Sequence, residues 1–135
     1  MNRFFSSSPF LQEGGIAFVR VITGGFLVYH GCEVFNTEAM NGYLDWDIFK
    51  NQSGKMMIYM GKILELIAGI LLIIGLFTRV AAILVIGTLG YISFFVGNGK
   101  VWEDAQHPFL FVLLAIVFLF TGGGRLSADY LLLKK

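Results

Sequence analysis

Glu65 heads the run over residues 65–82, Glu-Leu-Ile-Ala-Gly-Ile-Leu-Leu-Ile-Ile-Gly-Leu-Phe-Thr-Arg-Val-Ala-Ala, which is apolar enough to enter hydrocarbon and carries Arg79 at its far end. An ionisable group at membrane depth costs roughly 2.5–3.5 kcal/mol on insertion scales, so it persists where it faces partners inside a bundle. Other reactive side chains fall at matching positions: His30, Cys32 and Glu33 late in the first apolar stretch, Lys62 one turn before Glu65, and His107 at the head of the last stretch. His30 with Glu33 and Lys62 with Glu65 stand at i, i+3, so each pair shares a helix face. A carboxylate and an imidazole exchange protons near neutral pH, and an apolar pocket in a bilayer can hold an isoprenoid-bearing ring. Glu65, His30 and Glu33 are therefore the proton-transfer candidates, with Lys62, His107, Arg20 and Cys32 as candidate ligand contacts.

The same residues admit other readings. Arg20, Lys62, Glu33 and Glu65 could form a charge-balanced network that fixes helix register and does no chemistry. His30 and His107, on different helices, have the number and placement of b-type haem ligands, or could cap helices or bond Glu33. His30, Glu33, Glu65 and His107 match a bundle carboxylate site in ligand type only, without Glu-x-x-His repeats, so no metal is assigned. Arg20, about five residues inside the boundary, could snorkel to lipid phosphate. Cys32 is the single cysteine, which excludes an intramolecular disulfide and CxxC chemistry, and it reads as a small buried residue.

Positioning these groups falls to apolar helices. Of 135 residues, 56% are hydrophobic and 14% charged, against about 25% charged in soluble domains. Stretches 15–35, 57–77, 80–96 and 106–122 predict an all-α membrane protein, a four-transmembrane-helix bundle forming a single domain over 1–135, with the first helix retained rather than cleaved. A helix from Met57 would place Glu65 about 12 Å deep. Phe4, Phe5, Phe10 and Leu11 around three serines and Pro9 predict an N-terminal interfacial segment, and Tyr43, Trp46 and Phe49 in the loop 36–56 predict an aromatic belt that caps the bundle. Gly122 to Gly124 should end the last span, and Ser127 should cap a short amphipathic turn through Tyr130, Leu131 and Leu133, with Lys134 and Lys135 snorkelling. Gly24, Gly25, Gly31, Gly61, Gly69, Gly87 and Gly90 predict close helix contacts.

With four spans, Arg3, Arg79, Arg125, Lys134 and Lys135 share the side of the termini, against Lys50, Lys55 and Lys100 among several acids on the other. The positive-inside rule then puts both termini in the cytoplasm and the chain in a bacterial inner membrane. The net charge of +1 and the lack of a G-x-x-x-x-G-K-[ST] loop give no sign of a nucleic acid or nucleotide partner.

Arg20, Gly24 and His30-Gly31, then the block 65–82, then Gly122-Gly123-Gly124-Arg125-Leu126-Ser127-Ala128-Asp129 follow one another in an order that resembles the DoxX family of small four-helix membrane proteins. The resemblance runs from residue 15 to 132. Gly123 stands where the family usually has proline, and Val34 where many members carry lysine, which would leave Glu33 to be paired by Lys62. Founding members look like subunits of a thiosulfate:quinone oxidoreductase, and others are linked to membrane complexes handling thiol stress. The resemblance thus implies a subunit or accessory protein of a quinone-linked or thiol/sulfur oxidoreductase. It would bind a small or lipophilic ligand such as a quinone in the outer half of the bundle, with no intrinsic cofactor, and a partner subunit or a homo-oligomer. The chain has no flavin, haem-attachment or iron–sulfur motif, so electrons would come from a partner or pass directly between bound substrates. A membrane scaffold or assembly factor and a small proton-linked carrier are the competing readings.

Overall fold

The computed structural model describes residues 5–133; Arg3, Phe4, Lys134 and Lys135, on which the interfacial, snorkelling and orientation readings partly draw, lie outside them. Among the described residues every regular element is helical. Helix α1 (Gln12–Gly31) runs on through a 3-10 turn, Cys32–Phe35, and α2 (Thr37–Leu44) and a second 3-10 turn, Asp47–Phe49, fill the connection to α3 (Gly54–Ile74). Helix α4 (Thr78–Tyr91) continues as a π-helical turn, Ile92–Val96, followed by α5 (Gln106–Thr121) and α6 (Ala128–Leu133). Three helical stretches are long and apolar enough to cross a membrane, Gln12–Phe35, Gly54–Ile74 and Thr78–Val96. Gln106–Thr121 is also apolar but has 16 residues, short of the roughly 20 that a span needs.

The four long helices form a ring, α1 on α3, α3 on α4, α4 on α5, and α5 back on α1 through a sparser contact. Leu27, Ala68, Leu72, Ala81, Ala82, Val85, Ala115 and Phe118 fill its centre. Phe18, Ile22, Ile63, Ile67, Ile70, Ile83 and Phe120 point outward and stay exposed, the pattern of helices whose solvent is hydrocarbon. Only some of the glycines serve packing. A Cβ on Gly24 would lie 2.7 Å from the Gly69 carbonyl oxygen, and one on Gly69 would lie 2.7 Å from the Val28 nitrogen, so α1 and α3 meet backbone to backbone. Gly25, Gly87 and Gly90 have nothing within 4 Å of such a Cβ and mark no helix contact.

Helix boundaries depart from the apolar run where capping overrides hydropathy. Helix α3 stops at Ile74 because Gly75 turns left-handed (φ 75°) and the N–H groups of Gly75 and Leu76 both donate to the Leu71 carbonyl, a Schellman closure. The last three residues of the expected span 57–77 are therefore the turn into α4. Helix α4 starts two residues before the expected position 80, because the Asp129 carboxylate accepts the N–H of Phe77 at 2.6 Å and of Thr78 at 2.8 Å. Ser127 caps α6 as expected, accepting the Tyr130 N–H at 3.3 Å.

The loop 36–56 is more ordered than an aromatic belt. Asn36 Oδ1 accepts the N–H groups of Glu38 and Ala39 and so caps α2, which buries Met40 against Phe49 and Ile58. Helix α3 begins at Gly54, three residues early, and its first turns support this lid. Glu65 accordingly lies about 16 Å from the helix's first residue, near its middle.

Candidate functional site

Beneath α2, three ionisable side chains line up. Lys62 Nζ lies 3.3 Å from Glu65 Oε2 and 3.0 Å from Glu33 Oε2, bridging α3 to the turn after α1. Glu65 is 4% exposed and Lys62 is buried. The Glu33 carboxylate also accepts the Tyr43 hydroxyl at 2.7 Å and lies 3.6 Å from His30 Nδ1. Lys62 Nζ sits 4.9 Å from the centre of the Tyr43 ring, a cation–π contact. The His30 and His107 rings meet edge to face at 5.4 Å, which joins α1 to α5. The resulting chain of groups runs from buried Glu65 through Lys62 and Glu33 to partly exposed His30 and exposed His107.

Tyr43 was not among the sequence candidates. Burial, reinforced by its hydrogen bond to the Glu33 carboxylate, raises its phenol above the usual value near 10.0, so it remains a donor through the neutral range. The sequence marked it only as one of the aromatics of the loop 36–56; it stands three residues after Met40 on α2.

A cavity of about 570 Å³ opens beside this chain, within the 300–1,000 Å³ typical of small-molecule sites. Its walls are mostly apolar, formed by Leu27, Ile58, Leu64, Leu84, Leu89 and Phe111, with Trp46 and Phe49 beside the α2 lid. Its polar lining groups are Lys62, Glu65, His30, His107 and Tyr43, with Thr88 and Tyr91 on α4. An apolar volume with a localised donor and acceptor set suits a lipophilic molecule carrying a compact polar head. Among the described residues no three His, Cys, Asp or Glu side chains converge as metal ligands do.

Two sequence candidates stand apart from this cavity. Arg20 is 2% exposed and does not snorkel. Its Nη1 donates to the carbonyls of Leu72 at 2.6 Å and Ile73 at 3.2 Å, and its Nη2 to Leu126 at 2.7 Å. Arg20 thereby satisfies the last turn of α3, whose C-terminal carbonyls lack helical partners, and ties it to the C-terminal segment. Glu13 Oε2 accepts the Arg125 N–H there at 2.6 Å, and Gly123 fits where a Cβ would meet Ser127 and Thr78 at 2.7 Å. The motif from Gly122 to Asp129 is thus a latch for the end of the bundle that carries the termini. Cys32 is exposed, contrary to the expected burial, and does not line the cavity.

Comparison with known proteins gives a family and one distant relative. The model of the family described as DoxX matches residues 15–98, from α1 through the π-helical turn. An uncharacterized protein of Haemophilus influenzae is 28% identical over 147 aligned positions that cover 100% of both chains. No solved structure matches the chain at a significant level.

Proposed function

The chain belongs to the DoxX family, and on that premise we propose that it is an inner-membrane subunit or accessory protein of a quinone-linked or thiol/sulfur oxidoreductase system. Helices α1, α3, α4 and α5 are its four spans, with both termini cytoplasmic and the α2 lid at the outer surface. The observation that carries this reading is the mostly apolar cavity of about 570 Å³ with Glu65 and Lys62 on its wall and Glu33 bonded to Lys62 behind it. A quinone-like head would bond Lys62 or an imidazole there. The path from Glu65 through Lys62 and Glu33 to His30 offers a proton route toward the aqueous surface, each step joining groups already in contact. Electrons come from a partner subunit or a second substrate.

The bridging of both acids by a single lysine favours a second reading, a scaffold whose charges only lock α1 to α3. Glu65→Gln separates the two, because it keeps shape and removes ionisation. The proposal expects a folded protein that has lost its co-purifying lipophile, measured by solvent extraction and mass spectrometry against the wild type. An unchanged lipophile content with only a shifted melting temperature would support the scaffold.

A further inference from the structure

We propose that the ligand enters this cavity sideways from the hydrocarbon, through a slot between α3 and α4 that Gly61 and Gly87 hold open. This rests on the cavity's being a lipophile site and adds how that lipophile arrives and which residues select it. The slot is formed by facing stripes at helical spacing, Met60 and Leu64 with Gly61 on α3, and Ile83, Gly87 and Tyr91 on α4, all lining the cavity. Met60, Ile83 and Tyr91 are exposed on the bundle's outer face, so the cavity reaches the surface that lipid covers. A Cβ on Gly87 would have nothing within 4 Å, and one on Gly61 would meet only the Thr88 methyl at 3.8 Å. This is the reverse of Gly24 and Gly69, whose missing side chains are filled by a neighbouring helix. At the terminal end of the same helix pair, Ala68, Leu72, Ala81 and Val85 close the contact.

On the side of the lid the cavity is covered in part, with Trp46 and His107 in its lining still exposed. Met40 and Phe49 are buried under α2, and Tyr43 and Trp46 line the cavity from that lid. An occupant that comes from lipid, reaches buried Lys62 and Glu65, and leaves its remainder between Met60 and Ile83 must combine a compact hydrogen-bonding head with an apolar tail. A prenylated ring fits this description; a phospholipid, with a large charged head and two chains, does not.

The test uses full-length protein in phosphatidylcholine nanodiscs with Trp102→Phe, which leaves Trp46 in the cavity wall as the single tryptophan. Decylubiquinone added to the bilayer should quench Trp46 saturably. Gly87→Leu should slow this quenching by about tenfold or more, whereas Gly90→Leu, on the same helix with equally open space but outside the cavity lining, should leave it unchanged. Leucine favours helix over glycine, so both variants should fold. Equal rates in Gly87→Leu and the parent would overturn the slot while the cavity reading stands, and equal slowing in both variants would overturn it as a general effect on α4. No saturable quenching in the parent would bring down the cavity reading and the slot with it. Saturable quenching by brominated-chain phosphatidylcholine that Gly87→Leu abolishes would overturn the choice of occupant.

Discussion

Replacing Lys62 by methionine keeps the stem and removes the cation that Glu65 and Glu33 share. Glu33 keeps the Tyr43 hydroxyl and partial access to water, but Glu65, at 4% exposure, has no other hydrogen bond or ion pair among the described residues. Removing one partner of a buried pair typically costs about 3–5 kcal/mol. Proton uptake by the stranded carboxylate caps the loss. An ordinary Glu titrates near 4.3, so protonation at pH 7 costs about 2.7 units at about 1.36 kcal/mol each, or about 3.7 kcal/mol, and at pH 5 about 1 kcal/mol. Lys62→Met should therefore destabilise the fold by about 3–4 kcal/mol at pH 7 and by about 1 kcal/mol at pH 5. The double variant Lys62→Met/Glu65→Gln should recover most of the loss at pH 7. Unfolding in mixed micelles, followed by helical ellipticity against added sodium dodecyl sulfate, measures each difference. A loss at pH 7 below about 1 kcal/mol, or one that does not shrink toward pH 5, would refute the buried bridge.

Asp129→Ala should remove the cap of α4 at a cost of about 1–2 kcal/mol, read as lost hydrogen-exchange protection at Phe77 and Thr78 with little change in α1. Tyr43→Phe bears on alkaline stability. The Tyr43 phenol is raised in the folded state, so its contribution is complete below the unfolded value near 10 and is lost as pH climbs through the raised folded value. The wild type should accordingly lose stability relative to Tyr43→Phe above pH 10, and parallel pH profiles would contradict the Tyr43–Glu33 bond.

Local order was legible where periodicity and capping agree. The Lys62–Glu65 neighbourhood follows from i, i+3 spacing, and the Ser127 cap from residue type. Long-range closure was not. Arg20 looks like a boundary arginine until the fold brings the end of α3 and Leu126 to it, more than fifty residues away in both cases. Asp129 looks like a surface acid until it caps a helix that starts fifty-one residues earlier. Hydropathy carried the α3 span to residue 77 because it cannot register the left-handed turn at Gly75. The loop 36–56 hid α2 because its apolar face, Met40, Tyr43 and Leu44, is too short to stand out among its charges. The glycines read alike in the sequence, yet Gly24 and Gly69 join helices while Gly61 and Gly87 line a cavity.

Photolabelling the protein in native membranes with an azido-quinone, followed by peptide mapping, asks most directly whether the hollow beside Glu65 receives a lipid-borne ring. Competable adducts should fall on the lid and slot, at Tyr43, Trp46, Met57 and Met60. Adducts scattered over the lipid-facing surface at Phe18, Ile67 and Phe120, unchanged by excess quinone and by Glu65→Gln, would contradict it.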